Sequence, residues 1–295
     1  MTSIFGVPTQ ALFGQLLIGL INGAFYAMLS LGLSVIFGLL NIINFAHGAQ
    51  YMMGAFVAYF ALQWAGLGYW PSLLIAPVVV GVFGVLLERT MLKRLSHLDH
   101  LYGLLLTFGV ALVVQGLFRN EFGSSGLPYA APPQLTGGYN LGFMFLPTYR
   151  AWAVVFSLVV CLATWYVIER TKLGAYLRAA TENPTLVQAF GINVPRMITL
   201  TYGFGVALAA LAGVLAAPIY QVNPLMGSNL IIVVFAVVVI GGLGSIMGSI
   251  VTGFGLGVVE GFTKVFYPEA SNTVIFVIMA LVLLVRPAGL FGRTT

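Results

Sequence analysis

The sequence predicts an all-α integral membrane protein: a polytopic helical bundle of about eight to ten crossings with broken or re-entrant helices. Two observations carry that prediction. Of 295 residues, 60% are hydrophobic and 6% charged, and the mean hydropathy is +1.04. A soluble domain carries about 25% charged residues, so this chain has too few to cover a surface facing water. The apolar residues also fall in long runs of the length a spanning helix needs, not in the short alternating segments of a barrel.

The apolar segments lie at about 10–39, 49–66, 71–91, 101–118, 151–168, 197–217, 228–258 and 271–287. The opening stretch MTSIFGVPTQ lacks the basic start and small-residue cleavage pattern of a signal peptide, so no removable leader is expected. Three connections hold most of the basic residues: 88–100 with Arg89, Lys93 and Arg94; 169–196 with Arg170, Lys172, Arg178 and Arg196; and the tail with Arg286 and Arg293. The positive-inside bias places these three in the cytoplasm. It also explains the net charge of +5 without nucleic acid as a partner.

Parity then constrains the rest. With 169–196 and the tail inside, both 218–229 and 259–270 lie outside, so 228–258 must enter and leave again as two short arms. The run VIGGLGSIMGSIVTGFGLG supplies the interruption at Gly241, Gly242, Gly244 and Ser245. The opening segment carries a second interruption, NIINFAHG, after a run that reads equally as one tilted helix or two short ones. Non-helical backbone at membrane depth requires protein or water to satisfy its polar groups. Asn41, Asn44 and His47, spaced three apart, are expected to share one helix face. They line a hydrated path, or they join helices by hydrogen bonds, or they hold a metal or proton. Asn22, Tyr26, Asn41, Asn44, His47 and Gln50 are therefore the candidate path residues.

Glycine spacing of the GxxxG kind occurs at Gly19–Gly23, Gly244–Gly248 and Gly257–Gly261, which predicts close helix packing. The chain contains no GxxxxGK[ST] phosphate loop, no His-Glu-x-x-His and no cysteine cluster. The set His97-Leu98-Asp99-His100 reads as a solvated connection. Glu88, Glu169 and Glu260 fall at span ends, leaving the spans without buried acids, and Glu260 with Lys264 reads as a helix-surface pair. A proton-driven pump usually carries intramembrane carboxylates; this chain reads as a conduit energised from elsewhere. A stand-alone secondary transporter or channel is the rival, and a membrane enzyme would need a catalytic constellation that is not present.

In the second basic connection, Asn183 suits an N-cap, Pro184 a first helical position and Gly191 the residue past the end. They predict a helix over 184–190. A helix that short is marginal in water unless it docks, and Leu186, Val187 and Phe190 supply an apolar surface for docking. The segment resembles the coupling loop of ABC-importer permeases through Ala189-Phe190-Gly191-Ile192 and Pro195, although Thr-Glu-Asn-Pro at 181–184 replaces the usual Glu-Ala-Ala opening.

The resemblance extends further. GLINGAFYAMLSLGLSVIFGLLNIINFAHGAQYMMGAFVAY (19–59), FAVVVIGGLGSIMGSIVTGFGLGVVE (235–260) and RPAGLFG (286–292) closely resemble the signatures of the branched-chain amino acid ABC transporter permease family, the LivH-like subunit type. That resemblance implies the ABC-importer permease fold in a single domain, 1–295, set in a bacterial inner membrane. It also implies a second homologous permease subunit, two cytoplasmic ATPase subunits carrying ATP and Mg, and a periplasmic binding protein, with no cofactor and no catalysis in this chain. Residues 119–150 become a periplasmic hairpin or flap meeting the binding protein, and 169–196 the coupling loop. Related permeases carry urea or small organic and aromatic acids, and no residue separates these from branched-chain amino acids.

Overall fold

A computed structural model describes residues 3–4, 7–40, 43–95 and 98–292. Two short strands, β1 (Ser3–Ile4) and β2 (Val7–Pro8), pair ahead of the first helix. The helices that follow are α1 (Thr9–Leu40), α2 (His47–Ala65), α3 (Tyr69–Leu95), α4 (His100–Phe122), α5 (Thr148–Arg170), α6 (Lys172–Glu182), α7 (Pro184–Ala189), α8 (Val194–Tyr220), α9 (Ser228–Gly241), α10 (Ile246–Phe266) and α11 (Val274–Val285). Between α4 and α5, β3 (Gly138–Asn140) and β4 (Phe145–Pro147) form an antiparallel hairpin.

Helices α1, α3, α4, α5, α8 and α10 are long and apolar enough to cross a bilayer. Helix α2 has 19 residues, and α9 and α11 are shorter apolar helices of 14 and 12. The ends of the bundle sort as parity requires. Leu127 of the 119–150 connection and Val222 of the 218–229 connection exchange backbone hydrogen bonds at 2.8 and 3.0 Å, so both lie at one end. Gln10 Nε2 reaches the Gly142 carbonyl at 3.5 Å, which puts the start of α1 there too. The basic connections and the tail gather at the opposite end, where Gly38, Glu169, Arg178, Gly244 and Gly292 surround one cavity.

Helix α1 is continuous over 32 residues. At about 1.5 Å per residue it exceeds the roughly 30 Å hydrocarbon thickness, so it is long enough to span while tilted or projecting beyond the hydrocarbon. Its glycines seat it. A Cβ added at Gly257 would fall 2.3 Å from the Gly19 carbonyl oxygen and 2.4 Å from Gly23 Cα, so two of the GxxxG motifs face each other across the α1–α10 contact. Further along that seam Ser34 and Ser249 share a hydrogen bond. Helix α8 is the central post, packed on α1, α2 and α3. Helix α4 is peripheral and largely exposed, held to α2 through Phe56, Phe60, Phe118 and Phe122. In the connection at the far end, Tyr129 is buried, and desolvation raises its phenol above the usual value.

The structure corrects two expectations about the spans. The break after α9 is present, with Gly242 and Gly244 at φ of 102° and 85°, and Ser245 caps α10 by accepting from the Gly248 amide at 3.0 Å. The second arm, however, is a helix of 21 residues running to Phe266. Hydropathy fades at Glu260 while the backbone pattern does not. The acids also differ from expectation, because Glu260 and Glu88 are both buried. Tyr26 donates to Glu260 Oε2 at 2.7 Å and Lys264 pairs with Oε1, so the predicted surface pair joins a buried acid to a partly exposed lysine. Thr199 donates to Glu88 Oε2 at 2.6 Å.

The end of α9 is closed by a segment far away in sequence. The amides of Leu290 and Phe291 donate to the carbonyls of Ile240 and Gly241 at 2.8 and 3.1 Å. A helix leaves its last carbonyls without internal partners, and here the RPAGLFG tail supplies them.

Candidate functional site: a polar junction and a docking helix

The chain leaves α1 at Leu40 and re-enters a helix at His47. Asn41 lies outside the described residues. Residues 43–46 are not helical, so Asn44 and His47 do not share a helix face, contrary to expectation. Asn44 stands in the break and His47 opens α2. The turn sits within the bundle: Phe45 stacks on Phe235 of α9 at 5.9 Å and meets Phe108 of α4 edge-on at 6.3 Å. Its amide donates to the Thr107 hydroxyl at 3.1 Å.

Three of the predicted residues come together here. Asn44 Nδ2 donates to Gln50 Oε1 at 2.9 Å. His47 Nε2 lies 3.0 Å from the Leu29 carbonyl; a carbonyl only accepts, so Nε2 carries a proton, and Nδ1 is an acceptor whenever the ring is neutral. Gln50 also lies beside the His47 ring and the Tyr202 hydroxyl of α8. Asn44 Oδ1, His47 Nδ1, Gln50 Nε2 and the Tyr202 hydroxyl have no protein partner. The cluster thus holds both acceptors and donors and no fixed charge. Asn44 is 1% exposed and His47 and Gln50 are 0% exposed. A solute meets them only if α1, α2 and α8 part.

Asn22 and Tyr26 form a second group on α1, nearer its start. Asn22 Oδ1 accepts from the Tyr220 hydroxyl at 2.9 Å, and Tyr26 binds Glu260 as above. Sequence reasoning missed Glu260, Tyr202 and Tyr220. The i, i+4 spacing of Glu260 and Lys264 gave the pair, while only the α1–α10 packing reveals its burial.

At the basic end α7 runs Pro184–Ala189. Asn183 caps it, accepting from the Leu186 amide at 3.0 Å, and Gly191 follows at φ 83°, the left-handed conformation that glycine tolerates. Leu186 is 54% and Phe190 78% exposed. Val187, expected on the same surface, is buried and packs with Ala180 and Val194. With six residues the helix has turned that side chain inward to anchor α7 to α6 and α8. Nearby, Arg178 donates to the Ile168 carbonyl at 2.9 Å and lies 3.5 Å from Glu169. Among the described residues no three His, Cys, Asp or Glu side chains gather as metal ligands. His97 lies outside those residues, and the Asp99 carboxylate caps α4 by accepting from the Leu101 amide at 2.9 Å.

A bundle of long apolar helices, interrupted at depth by an uncharged polar junction, defines a polytopic all-α membrane permease. A profile of the family described as "Branched-chain amino acid transport system / permease component" matches residues 15–283, and the chain belongs to that family. It is 32% identical over 292 residues to the high-affinity branched-chain amino acid transport system permease protein BraD of Pseudomonas aeruginosa. It is 31% identical over 292 residues to LivH of Escherichia coli K12. Each alignment covers 95% of both chains. The permease protein LivM of the same Escherichia coli strain is 28% identical over 91% of this chain and 68% of its own. Among solved structures, PsaBC from Streptococcus pneumoniae in complex with Fab aligns with 94% of this chain and 89% of that chain at TM-score 0.42 and 14% identity, too distant a likeness to inform the fold.

Proposed function

We propose that this chain is one of two permease subunits of an ATP-driven importer for branched-chain amino acids, in the inner membrane of a bacterium. A periplasmic binding protein delivers the solute and two cytoplasmic ATPases drive passage. The match over residues 15–283 carries this reading, and the relatives BraD and LivH are named for that transport. The exposed Leu186 and Phe190 on α7 support the ATPase contact, and the 119–150 connection is the surface for the binding protein.

A zwitterion carries two charges that hydrocarbon does not accommodate. Selection belongs to the binding protein, so the membrane path need only be polar and weakly binding, because a site must release what it admits. The junction of Asn44, His47 and Gln50 fits that demand when opened, and Asn22 extends it along α1. Movement reaches it through α8. Val187 of α7 packs on Val194 at the start of α8, and that 27-residue helix passes Gly205 against Gly32, beside the His47 ring. A push on α7 therefore tilts the post on which the junction rests.

The test is uptake in a strain lacking its own branched-chain permeases, with this chain and its partner subunits supplied. Saturable uptake of labelled leucine, competed by isoleucine and valine and not by urea or benzoate, is the expected result. Uptake of labelled urea or benzoate with no uptake of leucine would overturn the proposal.

A further inference from the structure

Between α3, the start of α4 and the α7–α8 turn lies a cavity of about 310 Å³, at the small end of the range that holds small-molecule ligands. Its walls include Ile43, Leu92, Val194 and Ile198, all aliphatic. Lys93, Asp99 and His100 stand at its exposed edge, and one buried acid is built into the wall. Glu88 is 4% exposed and lines the cavity. Thr199 donates to its Oε2, and no basic side chain among the described residues lies within ion-pair distance of it. Glu260, the other buried acid, is paired with Lys264, and the half-exposed Glu169 with Arg178. A carboxylate taken out of water calls for a compensating charge. Glu88 also opens the π turn Glu88–Leu92 of α3, a distortion frequent at functional sites.

We infer that this cavity binds a small aliphatic primary ammonium compound, with its ammonium on Glu88 and its hydrocarbon against Ile43, Leu92, Val194 and Ile198. The inference rests on the importer reading only for its natural occupant. A branched-chain amino acid arriving at the basic end has that ammonium and that hydrocarbon, and its carboxylate would face the exposed rim at His100. Because Pro184 and Gln188 of α7 also border the cavity, an occupant there opposes movement of α7 toward α3. The imported solute then slows its own entry.

The full chain in lipid nanodiscs is titrated calorimetrically with 3-methylbutylamine, 4-methylpentanoate and leucine. The amine and leucine bind saturably and the acid does not. Glu88→Gln, which keeps an acceptor for Thr199, weakens amine binding at least tenfold. Gly103→Leu fills the cavity from a helical position where an added Cβ meets nothing within 4 Å, and it blocks amine binding without lowering the yield of folded protein. Equal binding of amine and acid, unchanged amine binding in both variants, or no amine binding overturns the inference. Amine binding through Glu88 in a protein that supports no leucine uptake upholds the site and removes only its natural occupant. Leucine uptake without Glu88-dependent binding removes the site and leaves the importer reading standing.

Discussion

Gly257→Leu is expected to leave little or no folded protein in the membrane, measured as the monodisperse fraction of a fluorescent fusion in detergent. The cause is local and steric. Even the first carbon of a side chain at 257 would sit 2.3 Å from the Gly19 carbonyl oxygen and 2.4 Å from Gly23 Cα. Those neighbours are backbone and have no rotamer to which they can retreat. Overpacking a well-filled contact costs about 1–3 kcal/mol. With helix backbones in the way, α1 and α10 must separate along their length, so a loss of 3 kcal/mol or more is estimated, on the order of a large share of typical stability. Separation would also strip Tyr26 from Glu260 and Ser34 from Ser249. Gly255→Leu is the matched control on the same helix, where an added Cβ meets nothing within 4 Å. It is expected to give normal yield.

The double substitution Leu186→Asp with Phe190→Asp should behave in the opposite way, with a folded permease and no transport. Both side chains are exposed, and the α7 anchor, Val187, is untouched. Burying two such groups in a partner's groove is worth roughly 3–6 kcal/mol, and two carboxylates would have to be desolvated in their place. Affinity for the ATPase subunits is expected to drop more than about a hundredfold. Co-purification of those subunits should be lost at unchanged permease yield. Leu186→Ala with Phe190→Ala should give an intermediate result, since it removes apolar area without adding charge. Retention of the ATPases by the double aspartate variant would mean they grip another surface.

These two cases mark what the sequence makes legible. The Asn183, Pro184 and Gly191 signals place α7 because capping is a local property, set by residues adjacent in the chain. The break at Gly242 and Gly244 follows from parity and from glycine's freedom at positive φ. Val187 escaped because six residues offer no period from which to read a buried face. The partner of the Gly257–Gly261 motif escaped because spacing announces close packing without saying against what. The tail amides of Leu290 and Phe291 that finish α9, and the interior seat of Glu260, are likewise long-range. Hydropathy treats each residue alone, and an acid satisfied by Tyr26 from α1 looks in sequence like an acid facing water. At the junction, the polar letters of NIINFAHG were visible, but their geometry depended on α1 ending at Leu40. That end is set against Gly244, some 200 residues on.

The central claim is tested most directly by reconstituting the chain in proteoliposomes with its second permease, ATPase and binding-protein partners, and measuring labelled leucine accumulation with and without ATP. Accumulation against a gradient is expected only with ATP and with every partner present. It should be abolished by the Leu186 and Phe190 aspartates while ATP binding by the free ATPases persists. Accumulation by this chain alone, or by the full set without ATP, would contradict the account.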